Sequence, residues 1–374
     1  MRVKSSTGVI IPNHATMTHM NFTFWKSKTI FFLPAAIVFS LSLFITTDSY
    51  AQDNKHSGTN IGLIYPLSSN WTNAASQTNN FSLNLIAGVS RAERGISLAG
   101  FSNVVREDAK GLQMAGFSNH IGKNAEGVML AGFINTYSGG KATVVSGFAN
   151  VARSSSGTQI AGFLNKGGNI ASVQAAGFTN VARDVKGAQI AGFLNVAKKV
   201  KGIQLGFINV ADSAGSQIGI INIARNGEKS LGITIDENQT TMLAFRSGGK
   251  TLYGILGIGY NFDNKRNKYA FEAGMGAHIV KWNAFRLNAE LVQGGLESFK
   301  DDDQYFKASC RLMPAFKITR SFEIFAGPSL NFINTNTTEG KDMTEKYISS
   351  WTRNNGQDLY GFYVGYNAGL QVAF

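Results

Sequence analysis

Residues 187–197 read Gly-Ala-Gln-Ile-Ala-Gly-Phe-Leu-Asn-Val-Ala, and near copies of that string fill the chain from Gly95 to Arg225. Gly-Phe pairs fall at Gly100-Phe101, Gly116-Phe117, Gly132-Phe133, Gly147-Phe148, Gly162-Phe163, Gly177-Phe178, Gly192-Phe193 and Gly206-Phe207. The steps between them are 16, 16, 15, 15, 15, 15 and 14 residues. Two positions after each Phe stands an Asn: Asn103, Asn119, Asn135, Asn150, Asn165, Asn180, Asn195 and Asn209. A degenerate copy, Gly219-Ile220-Ile221-Asn222, closes the run. Self-similarity at a short fixed period means one small unit stacked on copies of itself.

Within one copy, Ala188, Ile190, Gly192, Leu194 and Val196 alternate with Gln189, Ala191, Phe193, Asn195 and Ala197. Period two is the mark of a strand. The short links keep an apolar residue in register, at Ala109, Ala125, Ile170, Val185 and Val200. A free hairpin turn has no need of that, whereas the corner of a solenoid coil points such a residue inward. The reading is a β-solenoid of about 15 residues per coil, stacked at about 4.8 Å. The Asn residues are expected to form a ladder. The Phe residues are expected to stack, either inside or along one face, and the Gly before each Phe to permit a bend. The alternative is an antiparallel meander, one strand per repeat, with the whole chain from Asn60 to Phe374 forming one large barrel. Ser102, Ser118 and Thr179 beside the Phe positions are poor lipid contacts and weigh against it.

The repeat resembles a surface-repeat family of Gram-negative bacteria built from G-x-Q-[LI]-G-[LF]-x-N-x-A units. The resemblance covers Gly95 to Arg225 and rests on the Gln, Gly and Asn positions. It implies an exported envelope or surface protein and brings no catalytic residue with it.

From Leu231 onward the repeat gives way to alternation. Strands are expected at 231–236, 240–247, 252–262, 267–280, 284–294, 303–317, 321–333 and 358–374. In the last, Tyr360, Phe362, Val364, Tyr366, Ala368, Leu370, Val372 and Phe374 share one face. Such strands, joined by links of alternating length, match the outer-membrane barrel pattern, and a terminal Phe resembles the signal that the barrel assembly machinery reads. Eight strands would close a small barrel filled by its own side chains. The inward face would hold Glu272, His278, Arg286, Asn288, Glu290, Lys307, Arg311 and Glu323. Buried charges need partners, so pairing among these groups is the expectation.

At the other end, Lys26 and Lys28 precede an apolar run from Ile30 to Ile45, and Ser49-Tyr50-Ala51 fits a small-x-small cleavage site. That order reads as a secretory signal peptide cut after Ala51, with Met20 as the functional start. The division expected is thus 1–51 extension and signal, 52–94 N-terminal strands or cap, 95–226 repeats, and 227–374 barrel.

The 374 residues include 42 Gly, 27 Phe and 5 Pro, a composition suited to β structure with tight turns. Net charge is +12. Residues 1–51 hold four basic residues and one acidic residue, so their removal leaves +9. In an exported protein this balance points to anionic lipid or polysaccharide, or simply to solvated turns, and not to nucleic acid. The single Cys310 excludes an intrachain disulfide and a Cys-based metal site.

Chemistry-bearing motifs are sparse. His56, His120 and His278 are the histidines downstream of the signal. His278 and Glu272 on one strand face would suit an acid–base pair, but no motif supplies a nucleophile. Asp301, Asp302 and Asp303 lack the spaced ligands of a Ca²⁺ loop. Gly254, Gly257 and Gly259 mimic a nucleotide loop with no helix to follow, and read as strand glycines. No catalytic, cofactor-binding or metal residue is assigned, and no cofactor. The expectation is a non-enzymatic outer-membrane repeat protein with a structural or surface-interaction role. A porin-like channel is the alternative. Partners would be outer-membrane lipid and the assembly machinery, with envelope polysaccharide or another protein open as ligands of the repeat.

Overall fold

The structure, a computed structural model, describes residues 56–155, 157–249, 251–264, 268–299 and 304–374. The expected signal peptide and its cleavage site lie outside the described residues, as do Asp301, Asp302 and Asp303.

The repeats form a β-solenoid of about ten turns over residues 78–224. Equivalent residues lie side by side in parallel register: Asn165 pairs with Asn180, Asn180 with Asn195, and Gln174 with Gln189. This excludes the single meander barrel. The coils begin at Thr78, ahead of the first Gly-Phe copy, and the strand His56–Ile64 adds one more parallel layer on Thr78–Ser90. The corner residues Ala109, Ala125, Ile170, Val185 and Val200 are all buried.

The interior is small and largely polar. Ala191 and Ala197 are buried beside fully enclosed Gln189 and Asn195. Consecutive Asn side chains bond from Asn103 through Asn222, with Nδ2 of each donating to Oδ1 of the next at 2.8–3.0 Å. The second Nδ2 hydrogen goes to a backbone carbonyl of the next coil, as from Asn165 to Ala175 and from Asn180 to Ile190. The amides are therefore satisfied, the condition for burying them. A second ladder joins Gln159, Gln174, Gln189, Gln204 and Gln217 at 2.8 Å and donates in the opposite direction along the chain. Its upstream end closes on the Tyr137 hydroxyl. Two ladders of opposite polarity partly cancel each other's dipoles.

With amides and methyls filling the coil, the Phe rings have no room inside. The internal stack is thus excluded, and the stack along one face holds. The rings from Phe101 to Phe207 stand outward in an unbroken column, neighbouring centroids 4.8–6.1 Å apart. The Gly before each ring is required by the stacking itself: a Cβ on Gly162 or Gly177 would run into the carbonyl oxygen of the Gly one coil earlier.

Downstream, eight antiparallel strands close a barrel: β1 (Glu228–Asp236), β2 (Thr240–Gly248), β3 (Leu252–Asn261), β4 (Tyr269–Trp282), β5 (Phe285–Glu297), β6 (Tyr305–Lys317), β7 (Phe322–Thr335) and β8 (Asp358–Ala373). Closure comes from β1 pairing with β8, Ile233 opposite Leu370. Each strand matches its expected span to within three residues at either end. One end of the barrel carries the β2–β3 hairpin, Glu228 and Phe374, whose N–H donates to the Lys229 carbonyl. Over the other end folds the chain between β7 and β8. It holds a short helix α1 (Thr338–Asp342), capped by the Thr337 hydroxyl accepting from Gly340 N–H, and a strand Ser349–Arg353 on the margin of β8. Met343 and Tyr347 from this segment pack on Met242, Tyr305 and Tyr363 and stopper the lumen.

Candidate functional site

The barrel strands alternate, broken in β4 by a bulge at Ile279. On β2, Met242, Ala244 and Arg246 face in and Leu243 faces out. On β5, Arg286, Asn288, Glu290 and Val292 face in and Leu291 faces out. All eight lumen residues expected from the sequence point inward, and three ionic clusters organise them.

At mid-barrel the Arg246 guanidinium donates to Glu290 at 2.9 Å, and the Tyr253 hydroxyl donates to the same carboxylate at 2.9 Å. Arg311 bonds Glu272 at 2.8 Å. Toward the hairpin end, Arg286 pairs with Glu323 and also with Glu228 at 2.6 Å, while Gln371 donates to Glu323. Toward the stoppered end, Lys307 pairs with Asp236 at 2.9 Å and Glu237 at 2.7 Å. Breaking one partner of such a buried pair leaves an uncompensated charge.

His278 and Glu272 are not brought together. Six residues of strand separate them, roughly 20 Å of rise, and each has its own partner. Glu272 is held by Arg311, while His278 Nδ1 bonds the Asn288 amide oxygen at 2.6 Å and its ring lies against Tyr253. Lumen cavities measure about 40 Å³ beside Glu272 and Arg311 and about 30 Å³ beside Arg246 and His278. Each has room for a water molecule or two and not for a substrate.

Gly254, Gly257 and Gly259 are strand residues of β3, as expected. His120 bonds Thr136 Oγ1 of the adjacent coil at 2.7 Å. His56 opens the first described strand. Cys310 is exposed on the outer wall between Leu291 and Leu330. Sequence reasoning missed Arg246, Tyr253, Glu228, Asp236 and Glu237. Arg246 was findable, because it continues the inward series Thr240, Met242, Ala244.

The outer wall reverses the polarity of the lumen. Leu231, Ile233, Leu256, Ile258, Met275, Leu291, Leu330, Val364 and Leu370 are all exposed. Aromatic side chains gather at both margins, with Trp282, Phe316 and Phe374 at the hairpin end and Tyr260, Phe262, Tyr269 and Trp351 at the stoppered end. From Phe362 to Val372 the apolar face of β8 covers ten residue steps, roughly 25 Å high at the usual strand tilt.

Comparison of the chain with protein-family models, with curated proteins and with solved structures finds no match.

Proposed function

We propose that this chain is a non-enzymatic outer-membrane protein of the cell envelope, anchored by its barrel and presenting the solenoid as a structural or interaction platform. The observation that carries this reading is the inversion of the barrel: exposed aliphatic side chains between two aromatic margins, around an ion-paired interior. That is how a lipid-facing barrel is built. The likeness of the repeat to Gram-negative surface repeats and the export-signal pattern of residues 26–51 support the same reading.

A filled, ion-paired lumen favours an anchor over a porin-like channel. Among the described residues the two cavities inside the lumen are of water size, and the recess of about 350 Å³ at the hairpin end is lined by the paired Arg286 and Glu323, which favours a structural interior over a catalytic one. The solenoid joins the barrel end that carries Phe374. With the C-terminus of such barrels on the inner side, this favours a periplasmic solenoid.

The test is reconstitution of the full mature chain in planar bilayers and in vesicles. Heat-modifiable migration and resistance to alkaline extraction are expected without single-channel conductance. Steady conductance would replace the anchor reading by the channel. Extraction at alkaline pH would remove the membrane reading altogether.

A further inference from the structure

The solenoid, like the barrel, is inverted, but on two of its three sides only. Its interior holds the Asn and Gln ladders and Ala, with larger apolar side chains such as Ile170, Val185 and Val200 confined mainly to the corner away from the Phe column. Its outer surface along the Gln-bearing strands carries Ile160, Ile190 and Leu205, each more than 40 % exposed. The Phe column forms the adjoining corner, each ring 38–52 % exposed. Beyond it, the Asn-bearing strands present Leu164, Leu194, Val196 and Ile223 outward. Among the polar side chains of these two sides, Ser102 bonds Ser118 at 2.9 Å and His120 bonds Thr136, which satisfies hydroxyls that are otherwise poor lipid contacts, while Thr179 and Lys166 also face outward on the Asn-bearing side. The column spans seven coil steps, roughly 34 Å at 4.8 Å each. An exposed apolar surface of that extent marks a site of contact with lipid or protein.

The third side is different. Between Gly95 and Gly227 the chain has twelve basic residues, namely Arg106, Lys110, Lys123, Lys141, Arg153, Lys166, Arg183, Lys186, Lys198, Lys199, Lys201 and Arg225, against five acidic. All but Lys166 fall in the links that make this side.

The last coil fixes what the apolar sides face. Ser247 and Gly254 are outward positions of β2 and β3, yet both are buried, because the coil around Gly219–Asn222 lies on them. A Cβ on Gly254 would collide with the Ile220 carbonyl oxygen. Next to this contact, Phe207 and Ile220 line one groove of about 970 Å³ together with Leu256, Ile258, Phe271 and Leu291 of the barrel's outer wall. The end of the Phe column therefore adjoins the surface read above as lipid-facing.

We infer that the solenoid lies on the membrane as an amphipathic prism, its Phe corner and flanking aliphatic sides sunk into the leaflet beside the barrel. The basic third side stays at headgroup and water level, where Lys and Arg meet anionic phosphates. This is the arrangement of an interfacial helix carried out in β structure. Continuity with the barrel wall and segregation of positive charge select lipid as the occupant over a second copy or a protein ligand. The inference rests on the membrane reading of the barrel.

The test uses the full mature chain with Cys310→Ala and single cysteines at Phe148, Ile160, Lys186 or Val364, each carrying an environment-sensitive fluorophore. The protein is reconstituted in vesicles of phosphatidylethanolamine and phosphatidylglycerol with nitroxide-bearing lipid. Labels at Phe148 and Ile160 should lose most of their emission, like the barrel control at Val364, while Lys186 keeps its own. Quenching at Val364 with none at Phe148 and Ile160 overturns the prism and leaves the barrel intact. A blue-shifted but unquenched label at both solenoid sites means that protein, a second copy or the N-terminal segment, covers the column, and also overturns it. Quenching at Lys186 overturns the one-sided arrangement. Absence of quenching at Val364 removes the barrel reading and this inference with it.

Discussion

Asn222, the last rung of the Asn ladder, donates its side-chain amide to the backbone carbonyl of Ser247 at 3.3 Å, and the Ser247 hydroxyl accepts the Asn222 backbone N–H at 2.9 Å. The ladder therefore ends on the barrel and not in solvent. A solenoid needs a cap at each end, because its terminal coil otherwise presents unpaired backbone groups. Here the β2–β3 hairpin serves as that cap, and solenoid and barrel share a hydrogen-bond network.

Ser247→Ala should loosen this joint. It removes the acceptor of a buried N–H, and an orphaned buried group costs about 1–3 kcal/mol. Amide exchange at Ile221–Arg225 should quicken by about tenfold or more, since 1.4 kcal/mol is a factor of ten, while exchange around Asn150 stays unchanged. Equal rates in both proteins would mean that the Ser247 hydroxyl does not hold the last coil.

Asn180→Leu tests the ladder itself. Asn180 accepts from Asn165 and donates to Asn195 and to the Ile190 carbonyl. The change leaves buried partners on both sides and should destabilise the solenoid by several times about 1 kcal/mol. Lys198→Ala, on the exposed basic side, should have no measurable effect. Urea unfolding of the two variants side by side makes the comparison, and similar midpoints would show that the ladder does not carry the stability.

Arg246→Met tests the lumen. It strips Glu290 of its closest cation, leaving Arg311 at 3.9 Å and the Tyr253 hydroxyl. Breaking one half of a buried pair costs about 3–5 kcal/mol, whereas removing both halves is far milder. The midpoint of heat-modified migration should therefore fall sharply in Arg246→Met and recover in Arg246→Met/Glu290→Leu. A double variant no better than the single one would locate the loss in packing, including that of Arg246 against Phe325.

The architecture was legible because two periods are written in the chain without interference: 15 residues in the repeat, and two in the barrel. Period alone, however, does not say which of two alternating faces turns inward. In the copy at 187–197 hydrophobicity favours Ile190, Leu194 and Phe193 as core, and the structure buries Gln189, Asn195 and Ala197 instead. The deciding term is the in-register stacking of amides, which satisfies each buried polar group by its own copy one coil away. That depends on the parallel register and so exists only once the solenoid does. The lumen pairs were legible as a set of inward charges but not as partners, because strand register decides who meets whom. Arg286 and Glu323, 37 residues apart in sequence, are an example.

The last prediction concerns Glu93, which replaces the apolar corner residue in an N-terminal coil: it sits in register with Ala109, itself aligned with Ala125. It is buried and accepts from Ser82 at 2.8 Å and Asn79 at 3.2 Å. Burial raises its carboxyl above the usual carboxylate range, outweighing the lowering by hydrogen bonds from Ser82, Asn79 and Ser90. A raised folded-state value means that the folded chain holds its proton to higher pH than the unfolded chain does. Stability from this group is then complete below the ordinary carboxylate range and declines as pH climbs through the raised value. The N-terminal coils should accordingly be more stable at pH 4 than at pH 8. Glu93→Gln keeps an oxygen acceptor for Ser82 and removes the charge, so it should abolish the difference and exceed the parent protein in stability at pH 8. The fluorescence of Trp71, which lies beside these coils, reports their urea midpoint once the other tryptophans are replaced by Phe. A midpoint that rises with pH in the parent protein, or one that keeps its slope in Glu93→Gln, would show that Glu93 is not the group that sets it.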